Sequence, residues 1–348
     1  MIDLIWNFPL LPGLASIWDD ALQRALEQAS AGAEAWLLPT FRTREPELRA
    51  RAASILGVQE DRAWLTCGGH HGTLTALLAS GLAGKTIACE GASYPGFLDQ
   101  CRMTSTRTLA CAIDGDGIVP ESLHALCAHD GVRGLFTMPT VQNPLSFVTP
   151  LERRQRIVEI ARHFDLILIE DDAYGFLQQA APPSYAELAP ERTFYVRGIS
   201  KSFAPAVRTG FLIAPAEQQQ QVASALKVTA TGTDLTQALA ALELCEDGSL
   251  ERVIEAKRVE GAERNRLARE WLHAHRIASG APCAWHAWVE VDEPRALVDA
   301  AAERGVLISS GEFCAVAPEF GHGVRLALGG EIDRQRMAEG IALLTEIL

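Results

Sequence analysis

Lysine is scarce in this sequence, and long apolar runs are missing from it. Only four of its 31 lysine and arginine residues are lysines, and the formal net charge is −13. Proteins that bind nucleic acid usually concentrate positive charge, so this balance disfavours such a partner. No run of about 18 apolar residues offers a transmembrane helix. We therefore expect neither a nucleic acid nor a membrane as a partner.

Paired cysteines and a leader segment are missing as well. The eight cysteines include no C-x-x-C pair, which argues against a zinc site and against a disulfide framework. Their positions are typical of small core residues in a reducing compartment. The N-terminal stretch MIDLIWNFPLLPG has an acid at position 3 and no basic segment, so it does not resemble a signal peptide. These features predict a cytoplasmic protein without a metal site.

Residues 40 to about 274 alternate short apolar runs with longer helical stretches. The apolar runs are continuous, as in strands that are covered on both faces. We predict strands at 63–67, 86–90, 134–139, 166–171, 194–199 and 210–215. The stretch TPLERRQRIVEIARHF (149–164) predicts a helix with Thr149 as its cap and Pro150 at the first helical position. The pattern indicates an α/β fold with a mainly parallel sheet.

A smaller α+β unit is predicted at the C-terminus. Residues 249–276 predict one long charged helix that bridges two units. Beyond it, the runs AWVEV, GVLIS and GVRLAL predict strands, and residues 332–347 predict a last helix. We therefore divide the chain into a large domain, residues 40–274, and a small domain formed by residues 1–39 together with 275–348.

Polar residues and glycines follow the predicted strands, at the edge where open α/β sheets bind ligands. GGHHGT (68–73) comes after the first strand and begins a helix, where backbone N–H groups favour an anion. The other strand ends are followed by Tyr94, by Asn143, by Asp171 with Asp172 and Tyr174, and by Ser200 and Lys201 with Arg208. Each residue alone has an ordinary explanation, such as a turn, a cap or core packing. Their joint occurrence at one edge indicates a functional site.

These motifs resemble the fold-type I pyridoxal 5′-phosphate (PLP) enzymes, specifically the class I/II aminotransferases. The nearest branch contains 2-aminoadipate and kynurenine aminotransferases and the effector domains of MocR-type regulators. The segment PTVQNPLSFVTPLERRQRIVEIARHFDLILIEDDAYGFL resembles that branch's PTxQNPTG and IIEDDxY patterns, and YVRGISKSFAPAVRTGFLIAP resembles its FSKxLxPGLRxGY pattern. GVRLALGG resembles its carboxylate-binding xRLxF segment. The resemblance runs from about residue 40 to the end and implies the PLP-transferase type I fold.

The resemblance also implies catalytic roles. Lys201 anchors PLP as a Schiff base and moves the substrate proton. Asp171 pairs with the ring nitrogen, which keeps the ring an electron sink. Asn143 and Tyr174 hydrogen-bond the ring's O3′, and Asn143 also contacts the substrate. Tyr94 stacks on the ring face.

Binding roles follow from the same resemblance. Ser200, Arg208 and the backbone N–H groups of Gly69 and His70 hold the cofactor phosphate. Arg325 holds the substrate α-carboxylate through a bidentate pair. For His70 and its neighbour His71, hydrogen bonding at the helix start is favoured over catalysis.

Other polar and aromatic residues near the motifs have plainer explanations. Asp172 is interpreted as a cap or a surface acid. Trp285, His286 and Trp288 are interpreted as a core strand with one ring edge near the substrate.

Three departures from the family pattern concern the substrate cleft and its surroundings. Pro39 stands where relatives carry a tyrosine that reaches the partner subunit's phosphate, and Arg44 stands at a usual glycine. The motif NPTG has become NPLS at 143–146, and Ser310 replaces a frequent proline. These changes favour a specialised substrate or a reaction other than transamination.

The sequence thus predicts a homodimeric PLP-dependent aminotransferase that moves an α-amino group between an amino acid and a 2-oxo acid by ping-pong chemistry. A PLP enzyme of elimination, replacement, cyclisation or oxidation stays open, because the scaffold labilises Cα–H in each case. A PLP-sensing effector domain of a regulator is less expected, since only about 39 residues precede the matching region. The substrate side chain is not determined.

Overall fold

The secondary structure alternates strands and helices along most of the chain. The computed structural model describes residues 1–30, 40–273, 275–278 and 280–348, without the side chains of residues 41 and 42. The strands are β1 Ile2–Asp3, β2 Ala63–Thr66, β3 Thr86–Glu90, β4 Arg107–Cys111, β5 Ile113–Asp114, β6 Gly117–Ile118, β7 Gly134–Thr137, β8 Ile167–Asp171, β9 Thr193–Gly198, β10 Gly210–Ile213, β11 His286–Val289, β12 Val306–Leu307, β13 Ser309–Ser310 and β14 Val324–Ala327.

Helices connect these strands and cover the sheets. The α-helices are α1 Leu14–Ser30, α2 Thr40–Thr43, α3 Glu45–Leu56, α4 Gly69–Ala79, α5 Pro95–Met103, α6 Pro120–Asp130, α7 Leu151–His163, α8 Tyr185–Leu188, α9 Ile199–Ser202, α10 Gln219–Thr229, α11 Leu235–Glu246, α12 Ser249–Trp271, α13 Pro294–Glu303 and α14 Arg334–Thr345. Short 3-10 helices span Glu60–Arg62, Gly175–Leu177, Ala216–Gln218, Gly311–Phe313 and Pro318–Phe320. Within the described residues, no helix is long and apolar enough to span a bilayer.

A seven-stranded sheet in the order β2-β10-β9-β8-β7-β3-β4 forms the centre of the molecule. Neighbouring strands from β9 to β4 run parallel, whereas β10 runs antiparallel to both β2 and β9. Every residue of β2, β7 and β10 is buried, as the continuous apolar runs predict for strands covered on both faces. The predicted α/β class with a mainly parallel mixed sheet is confirmed.

The boundaries of the predicted elements differ from the observed ones at a few points. The edge strand β4 was not predicted, because its sequence RTLAC is only partly apolar and its N-terminal end is exposed. Helix α7 begins at Leu151 with Pro150 at the cap position and no side-chain cap. The prediction that Thr149 caps this helix is therefore wrong, because the first helical turn starts one residue later than the pattern indicated.

A smaller three-stranded antiparallel sheet, in the order β11-β14-β13, has its own apolar core. The two-stranded pair β1-β12 and helices α13 and α14 lie beside it. Helix α12 contributes Val253 and Ile254 to the large core and Ala268 to the smaller one. The long helix thus bridges two cores, as its length and charge pattern predict.

The N-terminal segment is divided between the two cores. Ile2 and Leu4 pack in the smaller core. Helix α1, in contrast, packs along α11 and buries Ala21, Ala25 and Ala29 against the large core. The sequence assigned all of residues 1–39 to the small domain; the small apolar face of α1 matches α11 instead. Residues 31–39 and the boundary residue at 274 lie outside the described residues, and the division of the chain into domains stays a proposal.

Candidate active site

A cavity of about 300 Å³ opens at the carboxyl edge of the large sheet. Its walls include every residue that the sequence nominated for the site: Gly69, His70, Tyr94, Asn143, Asp171, Tyr174, Ser200, Lys201, Arg208 and Arg325. Parallel strands end at one edge, so the segments after β2, β3, β7, β8 and β9 meet there. Strand β10 runs the opposite way, which places Arg208, just before its start, at the same edge.

Lys201 lies on the short helix α9, directly after β9. Its Nζ donates a hydrogen bond of 2.6 Å to the backbone oxygen of Asn7 and lies 3.5 Å from the centroid of the Phe8 ring. Burial and then the positive charge of Arg325 lower the pKa of Lys201 to about 7. A lysine with such a pKa is a competent nucleophile and proton carrier near neutral pH.

Asp171 is the last residue of β8 and is buried. Burial first, and Asp172 second, raise the pKa of Asp171 to about 7. Asp172 turns away to another partner, because its Oδ2 accepts a hydrogen bond of 2.5 Å from Tyr195 Oη. The arrangement supports Asp171 as the acid that faces a ligand in the cavity, since a buried carboxylate is stabilised by a cationic partner.

The N-terminus of α4 forms the anion-binding end of the cavity. Gly68, with φ of 90°, turns the chain from β2 into the helix, and the Gly69 N–H opens its first turn. A Cβ on Gly198 would lie 2.9 Å from the Gly69 nitrogen, and a Cβ on Gly210 would lie 3.0 Å from it. Glycines at these positions therefore let three backbone segments meet where the helix dipole favours an anion.

Arg208 and Ser200 stand beside this helix end. Arg208 Nη1 donates to Ser200 Oγ at 3.4 Å, and Nη2 donates to the Cys67 backbone oxygen at 3.4 Å. Ser200 Oγ in turn donates to the Val207 backbone oxygen at 2.9 Å. The Arg208 guanidinium lines the cavity, and among the residues that the structure describes it makes only these long hydrogen bonds, so it is available to a phosphate.

His70 and Tyr94 form one wall of the cavity. The His70 Nδ1 accepts from Gln100 Nε2 at 3.2 Å and from Tyr94 Oη at 3.4 Å, and the two rings meet edge to face. Burial raises the pKa of Tyr94 to about 12, so its hydroxyl stays protonated. His71 is structural, because its Nδ1 accepts from the Cys67 N–H at 3.0 Å and its Nε2 lies 2.7 Å from Thr229 Oγ1.

Arg325 on β14 reaches the cavity from the smaller sheet. Its Nη1 donates to Asn143 Oδ1 at 3.1 Å, and its Nη2 donates to the Ile5 backbone oxygen at 2.7 Å. Its Nε is buried and has no hydrogen-bond partner among the described residues. The guanidinium thus has a donor in reserve for a carboxylate that enters the cavity.

Residues 5–8 form another wall of the cavity, and sequence reasoning did not assign Asn7 to the site. The Asn7 backbone oxygen accepts from both Lys201 Nζ and Tyr174 Oη, the latter at 2.9 Å. Both polar atoms of the Asn7 carboxamide are buried and lack a partner among the described residues. No local motif could have found Asn7, because its importance comes from residues far along the chain.

Trp285, His286 and Trp288 do not line the cavity but pack next to residues that do. Trp285 and His286 are fully buried. The His286 ring lies 5.3 Å from the Tyr174 ring, and its Nε2 lies 2.8 Å from the Gln142 backbone oxygen. Trp288 faces Arg325 across the β11-β14 pair.

The departures from the family pattern are placed as follows. Pro39 lies outside the described residues. Arg44, at the N-cap of α3, makes a bidentate pair with Glu47 of that helix: Nε donates to Oε2 at 2.7 Å and Nη2 donates to Oε1 at 3.0 Å. Ser146 donates to the His286 backbone oxygen at 3.1 Å, which ties the altered NPLS loop to β11. Ser310 Oγ accepts from the Glu312 N–H and caps the short helix there.

The residues present fit PLP. The cavity is large enough for a pyridine ring and places an anion-binding helix end, a buried lysine amine and a buried carboxylate around one space. The unpartnered atoms of Asn7 and Arg325 indicate that ligand atoms complete this hydrogen bonding. An apolar ligand would leave these buried polar groups without hydrogen-bond partners, which is unfavourable.

The fold is that of PLP-transferase type I aminotransferases. The crystal structure of Pyrococcus horikoshii kynurenine aminotransferase superposes with a TM-score of 0.87 at 22% identity, covering 99% of this chain and 90% of that one. The α-aminoadipate aminotransferase LysN of Thermus thermophilus superposes with a TM-score of 0.85 at 24% identity, covering 99% and 91%.

The sequence model of aminotransferase class I and II matches residues 1–341, and the chain belongs to this family. The 2-aminoadipate transaminase of Thermus thermophilus is 27% identical over 330 residues, which are 86% of this chain and 79% of that protein. An uncharacterized HTH-type transcriptional regulator of Bacillus subtilis, YdeF, is 26% identical over 206 residues, covering 59% of this chain and 44% of the regulator. The predicted family, the aminotransferase class of enzyme and the PLP cofactor are confirmed. The individual roles of the site residues stay predictions.

Proposed function

We propose that the protein is active as an aminotransferase that moves an α-amino group between an amino acid and a 2-oxo acid. One observation supports this most: Lys201, Asp171, Arg208 and Arg325 meet in one cavity at the sheet edge. The family membership supports the reaction class. The substrate side chain is left open.

Lys201 is proposed as the covalent anchor of PLP and as the proton carrier. When bound, PLP supplies an electron sink that makes the Cα–H of an amino acid acidic. Because the pKa of Lys201 is about 7, its amine can accept a proton and return it at neutral pH with little cost in either direction.

The other cavity residues position and hold charge. Asp171 would carry its negative charge against the ring nitrogen, a pairing that removes the cost of burying the carboxylate. Gly69, Ser200 and Arg208 would bind the phosphate through backbone and guanidinium donors. Asn143 would donate to the ring oxygen, and Tyr174 would do so in exchange for its hydrogen bond to the Asn7 backbone oxygen.

Arg325 is proposed to orient the substrate. Its guanidinium is held at one edge by Asn143 and Ile5, and its buried Nε lacks a partner among the described residues. A carboxylate that binds there completes the donor set of the guanidinium. Two parallel hydrogen bonds fix direction as well as charge, so the Cα–H of every α-amino acid arrives in one orientation.

A homodimer in the cytoplasm is proposed as the working form. The acidic composition and the absence of C-x-x-C pairs support the compartment. The dimer rests on the resemblance to the family. In place of the tyrosine missing at position 39, we propose that Arg42 or Arg44 contacts the partner's phosphate.

A regulator's PLP-sensing domain is the second candidate. It is favoured by the similarity to HTH-type regulators, including YdeF. The two candidates differ in turnover, since a sensor binds PLP and an amino acid without releasing a 2-oxo acid.

A half-reaction screen tests the proposal. Single amino acids are added to the PLP-loaded protein, and the cofactor's absorbance and the released 2-oxo acid are followed. We expect at least one amino acid to convert the cofactor to its amine form with stoichiometric 2-oxo acid. An absorbance change without 2-oxo acid would favour the sensor, and release of ammonia or a β-substituent would favour elimination.

A further inference from the structure

Lys257 is a fully buried lysine in the middle of α12, beneath the helix that carries Lys201. Its Nζ donates to the Lys201 backbone oxygen at 2.9 Å and to the Phe203 backbone oxygen at 2.5 Å. These two carbonyls lie at the end of α9, where helical carbonyls lack intrahelical partners. The ammonium of Lys257 therefore closes the turn that holds Lys201.

No acid among the described residues balances a positive charge on Lys257. Burial alone lowers the pKa of Lys257 to about 7, and no charged neighbour within the described ranges offsets that effect. A neutral side chain of similar size would fill the space at lower cost, since a buried unpaired charge is unfavourable. The position of this charge thus calls for a role beyond packing.

The backbone of Lys257 connects to the other half of the site. Its carbonyl oxygen accepts a hydrogen bond of 2.9 Å from Trp285 Nε1. Trp285 immediately precedes β11, whose Trp288 pairs with Arg325. One turn of α12 is thereby bonded both to the segment of Lys201 and to the strand pair of Arg325.

We propose that Lys257 is a positioning residue for Lys201: its amine group fixes the Lys201 backbone, directs that side chain into the cavity, and in its protonated form opposes a second positive charge on the Lys201 amine. The inference rests on the proposed function, in which Lys201 anchors PLP. Within the described part of the chain, the charged groups that act on Lys201 are Arg325, Asp171 and Arg208 besides Lys257. Only Asp171 among them favours protonation of Lys201, so removal of Lys257 shifts the balance toward the protonated form.

Three variants and one control separate positioning from plain structural support. Lys257→Met removes donors and charge, Lys257→Gln keeps amide donors without charge, and Lys257→Arg keeps the charge. Arg264→Met is the control, because Arg264 is an equally buried cation on the same helix that bonds the carbonyls of residues 328, 331 and 332. Its loss should destabilise the fold without touching the Lys201 segment.

The readout is the pH midpoint of the absorbance change of the PLP-loaded protein, together with kcat, KM and the urea midpoint. We expect Lys257→Met and Lys257→Gln to raise the pH midpoint by roughly 0.5–1 unit. We expect Lys257→Met to lower kcat about tenfold, with KM for the amino acid little changed. Lys257→Arg should stay near the wild-type pH midpoint. Arg264→Met should lower the urea midpoint only.

Two results would overturn the inference. One is that Lys257→Gln keeps the pH midpoint and the kcat of the wild type. If Lys257→Met does not fold, Lys257→Gln alone decides the test. The other is an equal shift in Arg264→Met. Borohydride reduction and peptide mapping of the wild type come first: an adduct away from Lys201 defeats the proposed function itself, whereas an adduct on Lys201 with unshifted variants defeats only the role of Lys257.

Discussion

Two ionisable side chains in the cavity, Lys201 and Asp171, are buried where their charged forms are destabilised unless a ligand contacts them. The lysine amine and the carboxylate both have pKa values moved toward neutrality, Lys201 to about 7 and Asp171 to about 7. Burial is the main cause in both cases. Perturbed titration in a cleft is typical of functional sites, because the same burial that destabilises the empty protein strengthens contacts to a ligand.

The first prediction concerns the stability of the cofactor-free protein. The pKa of Lys201 is lowered from 10.5 to about 7 in the folded state. The resulting penalty is full below about pH 7, where the folded state must also bind the proton, and fades as the pH rises toward 10.5. Lys201→Met should therefore be more stable than the wild type by about 2 kcal/mol at pH 6, with a gap that narrows toward pH 10.

Urea unfolding at several pH values measures this gap. Lys85→Met, at an exposed lysine, serves as the control and should show no such trend. A gap that widens with pH would mean that Lys201 is not buried as a lowered-pKa amine.

The second prediction separates the two adjacent acids. Asp171→Asn should lower kcat, because it raises the activation free energy by about 2–4 kcal/mol. The variant loses the negative charge that would stabilise the transition state at the cofactor ring. Asp172→Asn should instead cost about 1 kcal/mol of stability through its bond to Tyr195. Steady-state kinetics and urea unfolding of both variants provide the comparison; equal kinetic losses would show that the wrong acid was chosen.

The third prediction concerns Arg325. Arg325→Lys should raise KM for the amino acid and the 2-oxo acid together, at a cost of roughly 2–4 kcal/mol in kcat/KM, since lysine cannot form the bidentate pair. PLP affinity should be nearly unchanged. Arg295→Lys, at an arginine whose side chain is 80% exposed, is the matched control. An unchanged kcat/KM in Arg325→Lys would place the carboxylate site elsewhere.

At the level of elements, the anion-binding end depends on three chain segments in close contact. At the N-terminus of α4, Gly69 lies against Gly198 at the end of β9 and against Gly210 at the start of β10. Such close backbone approach is possible only without a Cβ. The anion-binding end therefore depends on the close packing of α4 against β9 and β10, and not on the sequence of a single loop.

The fourth prediction tests this crossing. Gly198→Ala should weaken PLP binding at least tenfold, because its Cβ would lie 2.9 Å from the Gly69 nitrogen and displace an N–H that binds phosphate. Gly340→Ala is the control, since its Cβ would meet Ile2 at 2.7 Å in the other core. Absorbance after dialysis measures retained PLP. Equal losses in the two variants would show a general folding defect instead.

At the scale of the whole molecule, two cores are joined by α12 and by the divided N-terminal segment. The site lies where they meet, with Asp171 at the end of a strand of the large sheet, Lys201 on the helix α9 that follows that sheet's strand β9, and Arg325 on the smaller sheet. A substrate bound at Arg325 would therefore contact residues from both parts of the molecule.

The fifth prediction is that the protein is a homodimer. Sedimentation equilibrium should give twice the chain mass of 37.7 kDa across the concentrations used for assay. Activity per subunit should fall on dilution below the dissociation constant. A fully active monomer would contradict both the dimer and the proposed contact from Arg42 or Arg44.

The sequence by itself determined the class of fold and the chemistry of the sheet edge. Continuous apolar runs indicate doubly covered strands, and polar residues after them must gather because parallel strands end together. Lys201, Asp171 and Arg208 could be found for this reason: each lies within a few residues of a strand boundary, so local pattern and topology suffice to place it.

Only the tertiary structure decided which distant segments complete the site. The bond from Lys201 to Asn7 joins residues 194 positions apart, and Lys257 reaches the same segment from α12. Helix α1 packs against the large core, which the sequence could not show, because the small apolar face of this helix would fit many complementary surfaces. Periodicity reports which face of an element is buried, whereas the partner of that face depends on packing between elements that the local sequence does not encode.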